Sequence, residues 1–187
     1  LVALVVGRLA PEKNLDVAIR AFDAMRAKHP SVKLVFVGDG PAREALRQRC
    51  PQATFAGQRG QDELALFYAS ADLCLFPSLT ETFGNVTLEA LSSGLPVLAF
   101  DTAAASEWLV HHHSGWLAPV GDAQAYVACA RELAEHPERI AMARAQARGQ
   151  VVQLDWQQIA AQVEAVFMEV MARHAAHAPR VRALPAF

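Results

Sequence analysis

Two glutamates, Glu81 and Glu89, stand eight positions apart in the stretch 78–100, which reads SLTETFGNVTLEALSSGLPVLAF. A pair of carboxylates can act as general acid and general base in a glycoside hydrolase. Alternatively, one carboxylate accepts hydrogen bonds from sugar hydroxyls while the other holds the vicinal hydroxyls of a ribose, since ionised carboxylates are acceptors only. A third interpretation makes Glu89 an ordinary carboxylate on the face of a helix. The residue types alone leave these interpretations open.

Two cations, Arg8 and Lys13, bracket the loop that follows the first apolar run of the chain. At the carboxyl end of a parallel strand, such a pair can hold a diphosphate, the Arg through its planar fork and the Lys as a point charge. They can equally be surface charges at a turn, and position alone does not decide between the two.

A glycine-rich turn, Gly38–Asp39–Gly40, follows the second apolar run. It does not complete a GxGxxG fingerprint, because Arg43 stands at the third glycine position, and the sequence contains no GxxxxGK motif. We therefore interpret it as a tight turn between a strand and a helix rather than as a phosphate loop.

The elements around the two glutamates predict how they are positioned. The apolar run Leu73–Phe76 indicates a buried strand, and the helix after Gly84 ends at Gly94 before a second strand, 97–100. In open α/β sheets, ligands bind at the carboxyl ends of strands, where the N–H groups at a helix N-terminus receive anions. We therefore expect the functional centre here, with Asn85 or Thr87 near the helix N-terminus.

The rest of the chain alternates between apolar runs and amphipathic segments. Further strands are predicted at residues 1–6, 32–37, 53–56 and 115–118, and helices at 15–28, 42–49, 62–69, 106–110, 122–135, 137–148 and 156–174. Asp62 and Asp122 are predicted as helix N-caps, and 102–105 as a loop. This alternation is typical of an α/β fold, a Rossmann-like doubly wound parallel sheet, here followed by a helical C-terminal segment.

Composition narrows the function classes. The 187 residues are 53% hydrophobic and 19% charged, as expected for a folded domain, and the net charge of -2 argues against a nucleic-acid partner. Cys50, Cys74 and Cys129 lie far apart, which favours a reducing compartment. The run His111–His113 is interpreted as a solvated loop. A start at Leu1, directly in a strand, leads us to expect a domain of a longer protein.

Four segments, in order, resemble a known family: VGRLAPEKNLD at 6–16, FVGDGP at 36–41, YASADLCLFPS at 68–78 and ETFGNVTLEALSSGLPVLA at 81–99. Together they are similar to the C-terminal, donor-binding domain of the retaining GT-B glycosyltransferases of the "glycosyl transferases group 1" family. The last segment carries that family's Glu-x7-Glu motif. The resemblance implies that the chain forms one half of a GT-B fold.

The resemblance also implies roles by position. Arg8 and Lys13 match the cations that bind the donor diphosphate, Glu81 the carboxylate that contacts the transferred sugar, and Glu89 the one that holds the ribose. Further donor-binding positions implied are Gly7, Gly38, Phe83, Gly84, Asn85 and Val86, the last four through backbone N–H groups. The nucleobase is expected near Gly38 and 57–59, and no metal or other cofactor is expected.

The implied organisation is a donor-binding domain over 1–175 and a tail over 176–187. The N-terminal acceptor domain, expected as a partner, is absent, so we expect the isolated domain to bind nucleotide but to transfer little sugar. The expected location is the cytoplasm, with peripheral membrane contact through the missing domain; the acceptor is unknown. Two alternatives remain: a nucleotide-sugar 2-epimerase-like domain, whose additional acid and base are not apparent, and a non-catalytic nucleotide-binding module.

Overall fold

The computed structural model describes residues 1–177. Six strands form its sheet: β1 Val2–Val6, β2 Lys33–Val37, β3 Thr54–Gly57, β4 Leu73–Phe76, β5 Val97–Phe100 and β6 Gly115–Ala118. All neighbouring pairs are parallel, in the order β3-β2-β1-β4-β5-β6. This is the predicted Rossmann-like doubly wound sheet.

Helices connect the strands. They are α1 Leu15–Lys28, α2 Arg43–Arg49, α3 Gln61–Ser70, α4 Asn85–Ser92, α5 Ala103–Trp108, α6 Ala123–Glu135, α7 Pro137–Ala147 and α8 Trp156–His177, with short 3-10 turns at Pro11–Lys13 and Arg148–Gln150. Asp122 caps α6 as predicted, because its carboxylate accepts hydrogen bonds from the backbone N–H groups of Gln124 and Ala125.

Two local predictions were wrong. Asp62 is not an N-cap, since α3 begins one residue earlier with Gly60 at the cap position, and Asp62 lies in the first helical turn. There its negative charge still interacts favourably with the positive end of the helix dipole. Residues 102–105 are not all loop, because α5 begins at Ala103, and Thr102 takes the N-cap position.

The core lies on both faces of the sheet. Strands β4 and β5 are buried along their whole length, as expected for central parallel strands. On one face α1 packs against α6, and the Tyr126 hydroxyl of α6 donates a hydrogen bond of 2.8 Å to the carbonyl oxygen of Leu98. Trp116, predicted as a packing residue, is 1% exposed.

The strand order places a switch point between β1 and β4. From β1 the chain winds outward through β2 and β3, and it then returns to the other side of β1 to form β4, β5 and β6. Connections leave β1 and β4 on opposite sides, so a crevice opens at their carboxyl ends, where α/β proteins bind ligands. The loops after β1 and β4 hold Arg8, Lys13 and Glu81.

The backbones of two glycines approach each other closely at this edge. Gly38 has a φ of +134°, and a Cβ added to it would lie 2.0 Å from the carbonyl oxygen of Gly7. We expect Gly38→Ala to lower the free energy of unfolding by about 2 kcal/mol or more, because backbone must shift to admit the methyl group. Urea denaturation measures this.

Gly60→Ala is the matched control, since Gly60 has a φ of -69° and no atom within 4 Å of an added Cβ. We expect it to lower the free energy of unfolding by less than about 1 kcal/mol, the part that comes from Ala being a poorer N-cap than Gly. Equal effects of the two substitutions would contradict the close approach at Gly38.

The chain divides into two compact units, 1–152 and a second that begins at Gln153. In the second unit, α8 carries exposed apolar side chains at Val163, Val166, Phe167, Met168, Val170 and Met171. Among residues 1–177, no helix combines the length and the apolar character that crossing a bilayer requires. The predicted boundary near residue 175 stays a prediction, and 178–187, most of the predicted tail, lie outside the described residues.

Candidate functional site

A salt bridge joins the two loops at the switch point. The ammonium nitrogen of Lys13 lies 2.5 Å from Oε1 of Glu81, although 68 residues separate them in sequence. Both side chains are largely buried, with 24% and 13% of their surfaces exposed. Such a pair is screened less by solvent than one on an open surface. The structure therefore brings together Lys13, which is predicted to bind the diphosphate, and Glu81, which is predicted to contact the sugar.

Two hydrogen bonds hold the same loops together on either side of this salt bridge. The Asn14 side-chain amide donates to the carbonyl oxygen of Pro77 at 3.3 Å, and the Thr80 hydroxyl donates to that of Glu12 at 3.3 Å. Asn14 has a left-handed backbone, with φ at 53°, where the 3-10 turn meets α1. These contacts fix the position of Lys13 relative to Glu81.

Arg8 lies at the mouth of the crevice. Its guanidinium is paired with the Glu12 carboxylate, four residues on, and its side chain is 64% exposed. Exposed pairs of this kind contribute about 0–1 kcal/mol, so an incoming anion can replace Glu12 at little cost.

An open groove of about 360 Å³ runs from Arg8 past the carboxyl end of β2. It is lined by Gly7, Gly38, Gln58, Arg59 and Leu64, among others. The Arg59 guanidinium donates to the carbonyl oxygen of Ala56 and pairs with Glu63. Of the predicted nucleobase positions, Gly38, Gln58 and Arg59 therefore share one groove with Arg8.

The tight turn predicted at Gly38–Asp39–Gly40 is confirmed. The Asp39 carboxylate accepts hydrogen bonds of 2.8 Å from the backbone N–H of Gly40 and from the Arg43 guanidinium. Leu9 donates its N–H to the carbonyl oxygen of Asp39, which packs the turn against the first loop. These hydrogen bonds give Gly38 and Gly40 a structural role in the turn.

Glu89 lies on a second groove, of about 410 Å³, which shares Leu64 with the first. The buried Tyr68 hydroxyl donates a hydrogen bond of 2.8 Å to Oε2 of Glu89 and so orients the carboxylate. Burial, aided by the charges of Cys74 and Glu89, raises the pKa of Tyr68 far above its ordinary value, so the phenol stays a donor. The structure thus separates the two glutamates: Glu81 pairs with Lys13, and Glu89 is held by Tyr68.

The start of α4 presents backbone donors, as predicted. Gly84 takes the cap position with φ at +98°, and no side chain caps the helix. Phe83 is 47% exposed, and its carbonyl oxygen accepts a hydrogen bond from the N–H of Ala104, which anchors the turn to α5. Asn85 is exposed and Val86 half-buried. The first N–H groups of a helix have no intrahelical partner, so this end of α4 can receive an anion.

The histidine run lies apart from these groups as an exposed loop, as predicted. The imidazole Nδ1 of His111 accepts a hydrogen bond from the N–H of Leu117, and His112 contacts Arg139. Burial, together with His112 and Arg139, lowers the pKa of His111 below its ordinary value, so it is neutral at pH 7. Across residues 1–177, no group of three or more His, Cys, Asp or Glu side chains is arranged to hold a metal ion.

Sequence reasoning missed two residues of the site. Tyr68 orients Glu89 from 21 residues away, and Glu12 pairs with Arg8. Tyr68 lies on the buried side of α3, and no sequence pattern indicates a partner for its hydroxyl. The spacing of four between Arg8 and Glu12 was visible, yet it indicates a pair only where the backbone curls, as it does in the 3-10 turn.

Comparison with known proteins shows the family to which the chain belongs. The sequence profile described as "Glycosyl transferases group 1" matches residues 1–136, which include every predicted site residue. The chain is similar to the GDP-mannose-dependent alpha-mannosyltransferase of Mycobacterium tuberculosis, with 44% identity over 117 residues, covering 63% of this chain and 30% of that protein. It is also similar to the D-inositol 3-phosphate glycosyltransferase of Thermobispora bispora, with 32% identity over 187 residues, covering 92% and 44%.

Among solved structures, the chain is similar to Alr3699/HepE of Anabaena in complex with UDP-glucose. The TM-score is 0.75 at 25% identity, and the match covers 90% of this chain and 48% of that one. The fold is therefore that of a Rossmann-like domain of GT-B glycosyltransferases. The chain spans less than half the length of each of these three proteins. On the profile match and the shared fold, this chain belongs to the glycosyl transferases group 1 family.

Proposed function

We propose that the chain is the donor-binding domain of a retaining glycosyltransferase, which moves a sugar from a nucleotide-diphosphate sugar to an acceptor hydroxyl. The observation that carries the proposal is the meeting of Lys13 and Glu81 at the switch point, beside a groove that leads from Arg8 to Gly38. The names of the relatives support it: one is a GDP-mannose-dependent mannosyltransferase, and one solved relative holds UDP-glucose.

Arg8 and Lys13 are proposed to bind the donor diphosphate. The exposed Arg8 presents its fork to the phosphates once Glu12 is displaced, and Lys13 contributes a point charge. As the bond between the sugar and the diphosphate breaks, negative charge grows on the leaving oxygen. Once the donor is bound, the two cations and the N–H groups at the start of α4 stabilise that charge without further reorganisation.

The two carboxylates are proposed to have separate roles. Glu89, fixed by Tyr68, accepts hydrogen bonds from the ribose hydroxyls, which lie between the nucleobase groove and the diphosphate. Glu81 contacts the transferred sugar. We assign Glu81 no nucleophilic role, because its carboxylate is engaged by Lys13. In a retaining reaction the acceptor then attacks the face that the nucleotide leaves.

The acceptor site is proposed to lie in an N-terminal domain of the longer protein, with the donor-binding domain extending over 1–175. We further propose that donor binding needs no metal, that the protein works in the cytoplasm, and that any membrane contact is peripheral and made by the N-terminal domain. No nucleic-acid partner is proposed.

Isothermal titration of the chain with UDP, GDP and ADP, each in the presence of EDTA, tests the proposal. We expect one of the three diphosphates to bind at least about tenfold more tightly than the corresponding monophosphate, since only the diphosphate engages both cations. UMP, GMP and AMP are therefore the matched controls.

Binding that appears only when Mg²⁺ replaces EDTA would contradict the metal-free site. Equal affinity for monophosphate and diphosphate would contradict the assignment of Arg8 and Lys13. If none of the three nucleotides bound, this chain would not be an independent donor-binding domain.

A further inference from the structure

Ser78, two residues after the end of β4, has a buried hydroxyl. The residue is 3% exposed, and its Oγ is buried with no hydrogen-bond partner within the described part of the chain. A buried hydroxyl without a hydrogen bond is unfavourable, and native proteins satisfy most such groups with protein or with water.

Ser78 also lines a small cavity between β1 and β4. The register of these strands pairs Ala3 with Leu73 and Leu4 with Cys74. Closer to the carboxyl ends, the strands and the loops after them surround a partly open cavity of about 10 Å³, lined by Val6, Gly7, Phe76, Ser78 and Lys13, among others. This is about the space that the centre of one water molecule needs, and far too little for a phosphate or a sugar.

We propose that this cavity binds one water molecule, which joins Ser78 Oγ to the Lys13 ammonium, and that Ser78 is thereby a positioning residue for Lys13. A buried water needs two to four polar partners, and these two groups supply a hydroxyl that both donates and accepts and a charged donor. The inference rests on the proposed function only in its consequence, which is the fixed position of Lys13 for a diphosphate.

The water is proposed to fix the direction of one N–H of the Lys13 ammonium. The ammonium has three N–H donors, of which one goes to Glu81. A second directed to the water leaves the third for the crevice, where the diphosphate is proposed to bind. Lysine side chains have large rotamer freedom, so fixing the ammonium before the donor arrives reduces the entropy lost on binding.

A thermal double-mutant cycle on the full chain tests the water site without any nucleotide. Ser78→Ala is expected to lower Tm by about 2–4 °C, because the water loses a partner, and to lower it by less than 1 °C when Lys13 is already Ala. Ser92→Ala is the control, since Ser92 is exposed on α4 and its hydroxyl bonds only its own helix. A Tm that rises in Ser78→Ala would overturn the inference, because it would show an unsatisfied hydroxyl rather than one that holds water.

The preferred nucleoside diphosphate then tests the positioning role. Ser78→Ala is expected to weaken its binding about three- to tenfold in the natural chain and to have no effect in the Lys13→Ala chain. An equal loss in both backgrounds would overturn the positioning role. If the natural chain bound none of UDP, GDP and ADP, the proposed function would fail, while the thermal cycle would still decide whether Ser78 and Lys13 share a water.

Discussion

Lys13→Ala is expected to weaken binding of the preferred nucleoside diphosphate by about 10- to 100-fold, while the monophosphate loses less than about threefold. A hydrogen bond to a charged group contributes about 1.5–3 kcal/mol, and the Lys13 ammonium is only 24% exposed, so solvent screens it little. Titration of the two nucleotides into the natural and the substituted chain measures the effect.

Lys28→Ala is the matched control for this substitution. Lys28 also pairs with a glutamate, at 2.7 Å from Glu135, but it lies at the far end of α1 and is 44% exposed. It should leave both affinities unchanged. A parallel loss for monophosphate and diphosphate in Lys13→Ala would mean that the substitution disturbs the groove as a whole, and the diphosphate role would then be wrong.

The bounds of a strand or helix were predictable where a single sequence pattern defined the element. Strands β5 and β6 and helix α1 have the predicted bounds, because continuous apolar runs or a clear apolar stripe are followed by a residue that ends the element. The start of α5 was not predictable, since Ala103, Ala104 and Ala105 show no periodicity and Ala103 has an unusual φ of 49°.

The candidate site was predictable residue by residue, but its pairings were not. Sequence reasoning placed Lys13 and Glu81 at the carboxyl ends of two strands, yet it did not pair them, because that contact depends on β1 and β4 being neighbours. Tyr68 and Ser78 depend on packing as well, since their burial and their neighbours follow from the fold and not from a local sequence pattern. Polar partners that are distant in sequence are therefore what the structure adds.

Glu81→Gln is expected to separate binding from transfer. Glutamine keeps the shape of the side chain and an oxygen that accepts from Lys13, but not the negative charge that partly neutralises the ammonium. We expect nucleoside diphosphate affinity in this chain to stay the same or to rise. In the longer enzyme, kcat for sugar transfer is expected to fall by about 100-fold or more, the size of effect seen when a group that stabilises a transition state is removed.

Glu89→Gln provides the contrast, because the two glutamates are held by different partners. Its ribose role predicts weaker nucleotide binding and a higher KM, with kcat reduced far less than in Glu81→Gln, since the ribose is bound equally before and during the reaction. Nucleotide titration and steady-state kinetics on both variants measure this split. If Glu81→Gln lost nucleotide affinity as Glu89→Gln does and kept its kcat, Glu81 would be a nucleotide ligand, and the sugar contact would have to be assigned to another residue.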